Sequence, residues 1–190
     1  MYGRRTPYNV VLIGYRGSGK TSVGRLVAQK LKFGFVDCDL LAVDQAGMDI
    51  SAYVAANGWP AFRRMETQIL QDRMWRAKTV VATGGGAVLS SYARSMFQRH
   101  PFTAWLAVCP ETVVKRIRDD ENSTGMRPAL GRYKSLAHEV KATLSEREPY
   151  YAACADFKID TDWLMPEQIA DEIVATWHLK RNETLNKERL

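Results

Sequence analysis

The sequence predicts an α/β fold, three-layer α/β/α, built on a parallel sheet. Two observations carry the prediction. Short apolar runs alternate with longer amphipathic ones along all 190 residues, the pattern of strands joined by helical crossovers. The first apolar run, YNVVLI, feeds directly into GYRGSGKT, Gly14 to Thr21, which fits the phosphate-binding loop G-x-x-x-x-G-K-[ST] in its required place between strand and helix.

Strands are expected at Asn9–Ile13, Phe35–Cys38, Thr79–Thr83, Phe102–Val108 and Asp156–Ile159. Helices are expected near Lys20–Leu31, Ile50–Asn57, Pro60–Arg76, Ser91–His100, Glu111–Arg118, Ser135–Glu146 and Pro166–Leu179. The last shows the helical period in Ile169, Ile173 and Trp177, with Pro166 near its start. Residues 181–190, RNETLNKERL, are polar and read as a fraying tail, leaving one domain with a core at about 8–180. One segment breaks the rhythm: DDENSTGMRPALGR, 119–132, is interrupted by Gly125, Pro128 and Gly131 and carries no apolar period. A loop of that length in a compact domain is a candidate lid.

Composition narrows the function classes. Hydrophobic residues make up 46% and charged residues 25%, globular values that exclude a disordered chain. No apolar run is long enough to span a membrane, and no apolar signal core follows the basic start MYGRRTPYN, so a cytoplasmic protein is expected. Cys38, Cys109 and Cys154 are too scattered for a metal site or a disulfide framework. The net charge of +6 suits anionic ligands, but Lys and Arg are spread rather than blocked, so nucleic acid is not an expected partner. With no unpaired apolar stripe, a monomer is expected.

In the phosphate loop, Gly14, Gly17 and Gly19 let successive N–H groups point at phosphate oxygens. Lys20 would reach the outer phosphates and the Thr21 hydroxyl would ligate Mg²⁺. The third strand, TVVAT, ends in Gly84-Gly85-Gly86 rather than in the Asp that often orients magnesium; the second, FGFVDCD, supplies Asp instead. The guanine-reading N-K-x-D is missing, since Asn186-Lys187-Glu188 is followed by Arg189, which makes a GTPase a poor reading.

The acceptor side is open at this level. Asp37 and Asp39, two apart on an extended chain, would point to one face. They could orient a magnesium-bound water and accept from an attacking hydroxyl, or merely cap the following segment. Arg63 and Glu66, three apart on a helix, are either a surface ion pair worth little or an Arg fork held to meet a substrate carboxylate. The triple glycine is a turn or a place of close backbone approach. Arg127 and Arg147 are solvated arginines or members of the same cationic pocket.

Taken in order, GYRGSGKT, Asp37-Cys38-Asp39, the F-R-x-x-E of Phe62–Glu66, Gly84–Gly86, Arg127-Pro128 and the E-R-x-P-Y of Glu146–Tyr150 resemble the shikimate kinase family from about Val10 to Trp177. The resemblance implies a five-stranded sheet of order 2-3-1-4-5, the P-loop kinase fold of nucleoside-monophosphate kinase type with a mobile lid. It also implies transfer of phosphate from ATP to the 3-hydroxyl of shikimate, in aromatic amino-acid biosynthesis. A gluconate kinase is the alternative of the same architecture. Carried over, Gly17, Ser18, Gly19, Lys20, Thr21 and Ser22 would bind ATP, and Thr21 with Asp37 would serve Mg²⁺. Asp39 would activate the 3-hydroxyl; Arg63 and Arg147 would hold the carboxylate; Gly85 and Gly86 would offer N–H groups to the ring. Lys20 and Arg127 would stabilise the γ-phosphoryl, and Arg116, with Arg118 as its rival, would lie against adenine. The chain departs from the family at RPAL in place of RPLL, at Trp59-Pro60 after Gly58, and at Asp162-Trp163-Leu164, which lacks the basic residue some members place near adenine.

Overall fold

A computed structural model of the chain describes residues 9–119 and 135–187. The strands β1 (Val10–Ile13), β2 (Gly34–Asp37), β3 (Thr79–Ala82), β4 (Thr103–Ala107) and β5 (Phe157–Asp160) form one sheet. It is parallel throughout and ordered β2-β3-β1-β4-β5, as the family resemblance implied. On central β1, Val11 lies in register with Val81 on one side and Thr103 on the other. Every strand therefore ends at the same edge, where open parallel sheets gather their ligands.

Alternation along the strands sends side chains to two cores. Val10, Leu12, Val80, Ala104 and Leu106 pack with α1 (Lys20–Leu31) and the C-terminal helix. Val11, Ile13, Val81 and Trp105 pack with α2 (Cys38–Ala46), α3 (Ile50–Arg73), α4 (Ser91–Arg99) and α6 (Leu136–Cys154). Among the described residues the remaining α-helices are α5 (Pro110–Asp119) and α7 (Pro166–Lys187). Strands buried on both faces need apolar residues at every position, which is why VVLI and TVVA read as continuous runs. Ile169, Ile173 and Trp177 bury the inner face of α7, each worth about 1.5–3 kcal/mol on removal from water.

Three differences from the sequence reading have local causes. Helix α2 was not expected; Asp37 caps its start by accepting from the N–H groups of Asp39 and Leu40, and Gly47 at φ 66° ends it. The chain thus turns helical at Cys38, one residue before the expected strand could carry both aspartates on an extended face. Helix α6 runs to Cys154 rather than stopping at Glu146, continuing through Pro149. Tyr151 compensates for the proline, stacking on Trp105 at 5.8 Å and donating to the Gly85 carbonyl. Helix α7 continues past Leu179 into the polar residues, reaching Lys187, because nothing in RNETLNK breaks a helix. By contrast, the expected break between Asn57 and Pro60 is present within α3 at Gly58, whose φ of 78° interrupts the helix. The candidate lid falls almost wholly at 120–134, outside the described residues, and with it Gly125, Arg127, Pro128 and Gly131.

Candidate active site

The loop between β1 and α1 takes its shape from glycines at φ 146° (Gly14), 75° (Gly17) and 91° (Gly19). At Gly14 the need is also steric, since a Cβ would sit 2.5 Å from the Leu106 carbonyl oxygen. Lys20, buried in the first turn of α1, folds back and donates from Nζ to the carbonyls of Gly14 at 2.8 Å and Tyr15 at 2.7 Å. Ser18 is fully buried within the loop, while Thr21 and Ser22 sit exposed at the helix start.

Thr21 Oγ1 donates to Asp37 Oδ2 at 2.6 Å, while Asp37 Oδ1 accepts from the Asp39 N–H at 3.0 Å. Of the two readings for Asp37 the cap is present: one oxygen caps α2, while the other accepts from Thr21 at the phosphate loop. Asp39, in the first turn of α2, is directed towards the glycine turn after β3, where a Cβ on Gly84 would lie 2.9 Å from its Oδ1.

That turn is a crossing point. A Cβ on Gly84 would fall 2.2 Å from Glu66 Oε1, and one on Gly86 2.3 Å from the Arg63 guanidinium nitrogens. These glycines admit the side chains of α3 to the sheet edge. Arg63 Nη1 donates to Glu66 Oε2 at 2.6 Å, with Glu66 buried, and its guanidinium lies 4.9 Å from the Trp59 ring centre. Arg63 is therefore held by Glu66 on one side and the Trp59 ring on another, and the two do not form a surface ion pair. Arg147 of α6 is 7% exposed; its Nη1 donates to the Gly85 carbonyl at 3.1 Å, and its Nε is buried without a hydrogen-bond partner. Burial holds the Tyr151 hydroxyl well above the usual range, so it stays protonated and donates to the same carbonyl.

Asp39, Arg63, Gly85, Gly86 and Arg147 line one pocket beside the phosphate loop, with Glu66 and Trp59 among its walls. Tyr15, Arg16 and Glu139 line it too, and none was singled out in the sequence. The x positions of a phosphate loop carry no pattern, and Glu139 lies 123 residues from its partner Arg16. On the far side of the loop, Arg116 Nη1 donates to the Gly17 carbonyl at 2.9 Å and Nη2 to the Thr161 carbonyl at 2.7 Å. Arg118 is exposed at the end of α5, so of the two it is Arg116 that is hydrogen-bonded to the phosphate loop. Among the described residues no cluster of three or more His, Cys, Asp or Glu is placed to hold a metal, and no helix is long and apolar enough to cross a membrane. The three cysteines are free, and burial, then Asp37 and Glu66, push the Cys38 thiol far up.

A phosphate cradle at the end of β1, facing a second pocket lined by fixed arginines and an aspartate, defines a P-loop kinase acting on a small molecule. Comparison with known proteins narrows the class. The family model described as shikimate kinase matches residues 16–178. The chain is similar to the shikimate kinase of Nitratidesulfovibrio vulgaris, 43% identical over 77% of this chain and 82% of that one. It is likewise 39% identical to that of Moorella thermoacetica, over 88% and 92% of the two chains. Among solved structures, the shikimate kinase from Acinetobacter baumannii in complex with shikimate superposes with a TM-score of 0.83 at 28% identity, covering 90% of this chain and 93% of that one. The chain belongs to the shikimate kinase family.

Proposed function

We propose that the protein transfers the γ-phosphoryl group of ATP to the 3-hydroxyl of shikimate, giving shikimate 3-phosphate and ADP. One observation carries the reading beyond family membership: two pre-positioned guanidinium groups, Arg63 and Arg147, enter the same pocket as Asp39, next to the phosphate loop. Two forks in one small pocket suit a planar carboxylate. The buried Nε of Arg147, lacking a partner, is a donor awaiting an acceptor. A nucleobase would leave that charge uncompensated; gluconate also carries a carboxylate, and what favours shikimate over it is the family match.

The chemistry then follows from placement. With the carboxylate clamped by Arg63 and Arg147, the ring lies beside Gly85 and Gly86, which offer it their N–H groups; the missing Cβ atoms make room for the phosphate loop at Gly85 and the Arg63 guanidinium at Gly86. Asp39 accepts the hydrogen bond of one ring hydroxyl, takes up its proton as the oxygen attacks, and disfavours acceptors lacking that hydroxyl. Lys20 leaves the carbonyls of Gly14 and Tyr15 to follow charge on the transferring group, joined by Arg127 from beyond the described residues. Thr21 and Asp37 fit a magnesium ion, since both present hard oxygens and already share a hydrogen bond that the ion would replace. Bound there with ATP, it would neutralise the β- and γ-phosphate oxygens. Arg116, pinned by Gly17 and Thr161, offers its face to the adenine. The site so proposed draws on one chain and needs no second copy, which is compatible with the expected monomer.

ADP release tests the reading when shikimate, quinate, gluconate, AMP and RNA are offered in turn with ATP and Mg²⁺. Rapid release with shikimate supports it. Faster release with gluconate or AMP overturns it.

A further inference from the structure

Arg16 and Glu139 form an ion pair that the chemistry above does not use. Arg16 Nη2 lies 2.6 Å from Glu139 Oε1, with side-chain exposures of 19% and 6%. The two ends belong to different machinery. Arg16 sits inside the phosphate loop, between Gly14 and Gly17, while Glu139 sits in the first turns of α6, the helix that carries Arg147. Both line the acceptor pocket. The junction is tight: a Cβ on Gly85 would fall 3.0 Å from the Arg16 backbone nitrogen, so loop and glycine turn meet backbone to backbone. Tyr15, buried between them, has the Arg16 guanidinium 5.8 Å from its ring centre and the Arg147 guanidinium 5.7 Å from it.

A surface ion pair would contribute little here. A pair this buried is different, because a displacement at either end must stretch a charge-assisted bond or carry the other end along. On the proposed function, nucleotide binding would act on the loop by drawing Lys20 off the Gly14 and Tyr15 carbonyls next to Arg16. Acceptor binding acts on Arg147, on the same helix as Glu139. We propose that the Arg16–Glu139 pair is a positioning strap between the phosphate loop and α6, through which nucleotide and acceptor each tighten the other's binding. The strap rests on the proposed reading of shikimate as acceptor. Arg16 and Glu139 are positioning residues, acting through the loop and through Arg147 rather than on the reacting atoms.

Titration calorimetry tests it on the full chain: shikimate affinity is measured without nucleotide and at saturating ADP, and the ratio is the coupling factor. For the unsubstituted protein a factor of about 5 or more is expected. Arg16→Gln and Glu139→Gln each bring it close to one, and the double variant adds nothing further. Arg16→Lys, which keeps the charge but not the fork, retains part of the coupling. Unchanged coupling in either Gln variant overturns the strap. So does a factor of one in the unsubstituted protein, or a loss of shikimate affinity as large without ADP as with it, which would make Arg16 a direct ligand. Hydrogen exchange of the unsubstituted protein provides a check independent of how the variants fold. ADP alone should slow exchange in the first turns of α6, and no slowing there overturns the strap. Failure of the unsubstituted protein to bind shikimate at all is a different result, and refutes the acceptor assignment instead.

Discussion

Arg63→Ala is the substitution whose consequence the structure sizes most directly. Its guanidinium is held at 2.6 Å by Glu66 and backed by the Trp59 ring at 4.9 Å. A carboxylate about 4 Å from such a cation gains roughly 4 kcal/mol at an effective dielectric constant of ~20. Glu66 already neutralises part of that charge, and Arg63 retains 22% of its side-chain exposure, so the loss on truncation is set at about 2 to 3 kcal/mol, within the range for one partner of a desolvated pair. Shikimate affinity should fall by ~30- to 150-fold in calorimetry, with ADP affinity unchanged. Truncation also strands the buried Glu66 carboxylate, which lowers stability. Arg63→Ala/Glu66→Gln removes that charge, and should regain thermal stability while shikimate affinity stays low. Restored affinity in the double variant, or an unchanged one in the single variant, would refute the clamp.

Asp39→Asn should keep ATP and shikimate binding but lower kcat by about 10²–10⁴-fold; near-normal turnover contradicts its role as base. Gly86→Ala should abolish shikimate binding while the far-ultraviolet spectrum stays native, because its Cβ would enter the Arg63 guanidinium. Asp37→Asn preserves the cap on α2 but should raise the Mg²⁺ concentration needed for half-maximal rate; an unchanged requirement removes Asp37 from the metal site. His100 is buried, and that burial lowers its pKa from 6.5 to about 4. The folded chain then binds fewer protons than the unfolded one between those values. Stability from this group is complete above pH 6.5 and falls as pH drops towards 4, by up to about 1.4 kcal/mol per pH unit. Denaturation in urea across that range should show the slope in the unsubstituted chain and a shallower one in His100→Asn.

Legibility in the sequence follows the range of each interaction. The phosphate loop was readable because its function resides in consecutive residues, and Arg63–Glu66 because a helix brings positions three apart together. Whether that pair was a surface bridge or a clamp depended on Trp59 and on Gly86, which only the fold brings to it. The two aspartates were assigned to one extended face because FGFVDCD reads as strand to its end. The cap formed by Asp37 begins a helix at Cys38 instead, for which Asp37 and Gly47 were the available signals. Local propensity also stopped α6 before Pro149, whereas the Tyr151 contacts with Trp105 and Gly85 decide the matter. The Arg16–Glu139 pair spans 123 residues and left no trace in either local segment.

The position of the new ester tests the central assignment most directly. After turnover with ATP and shikimate, phosphorus–proton correlation in the product's magnetic resonance spectrum should place one phosphate on the 3-oxygen, with one ADP formed per ester. A phosphate on another hydroxyl, or ADP formed without any ester, would contradict the placement of the acceptor by Arg63, Arg147 and Asp39.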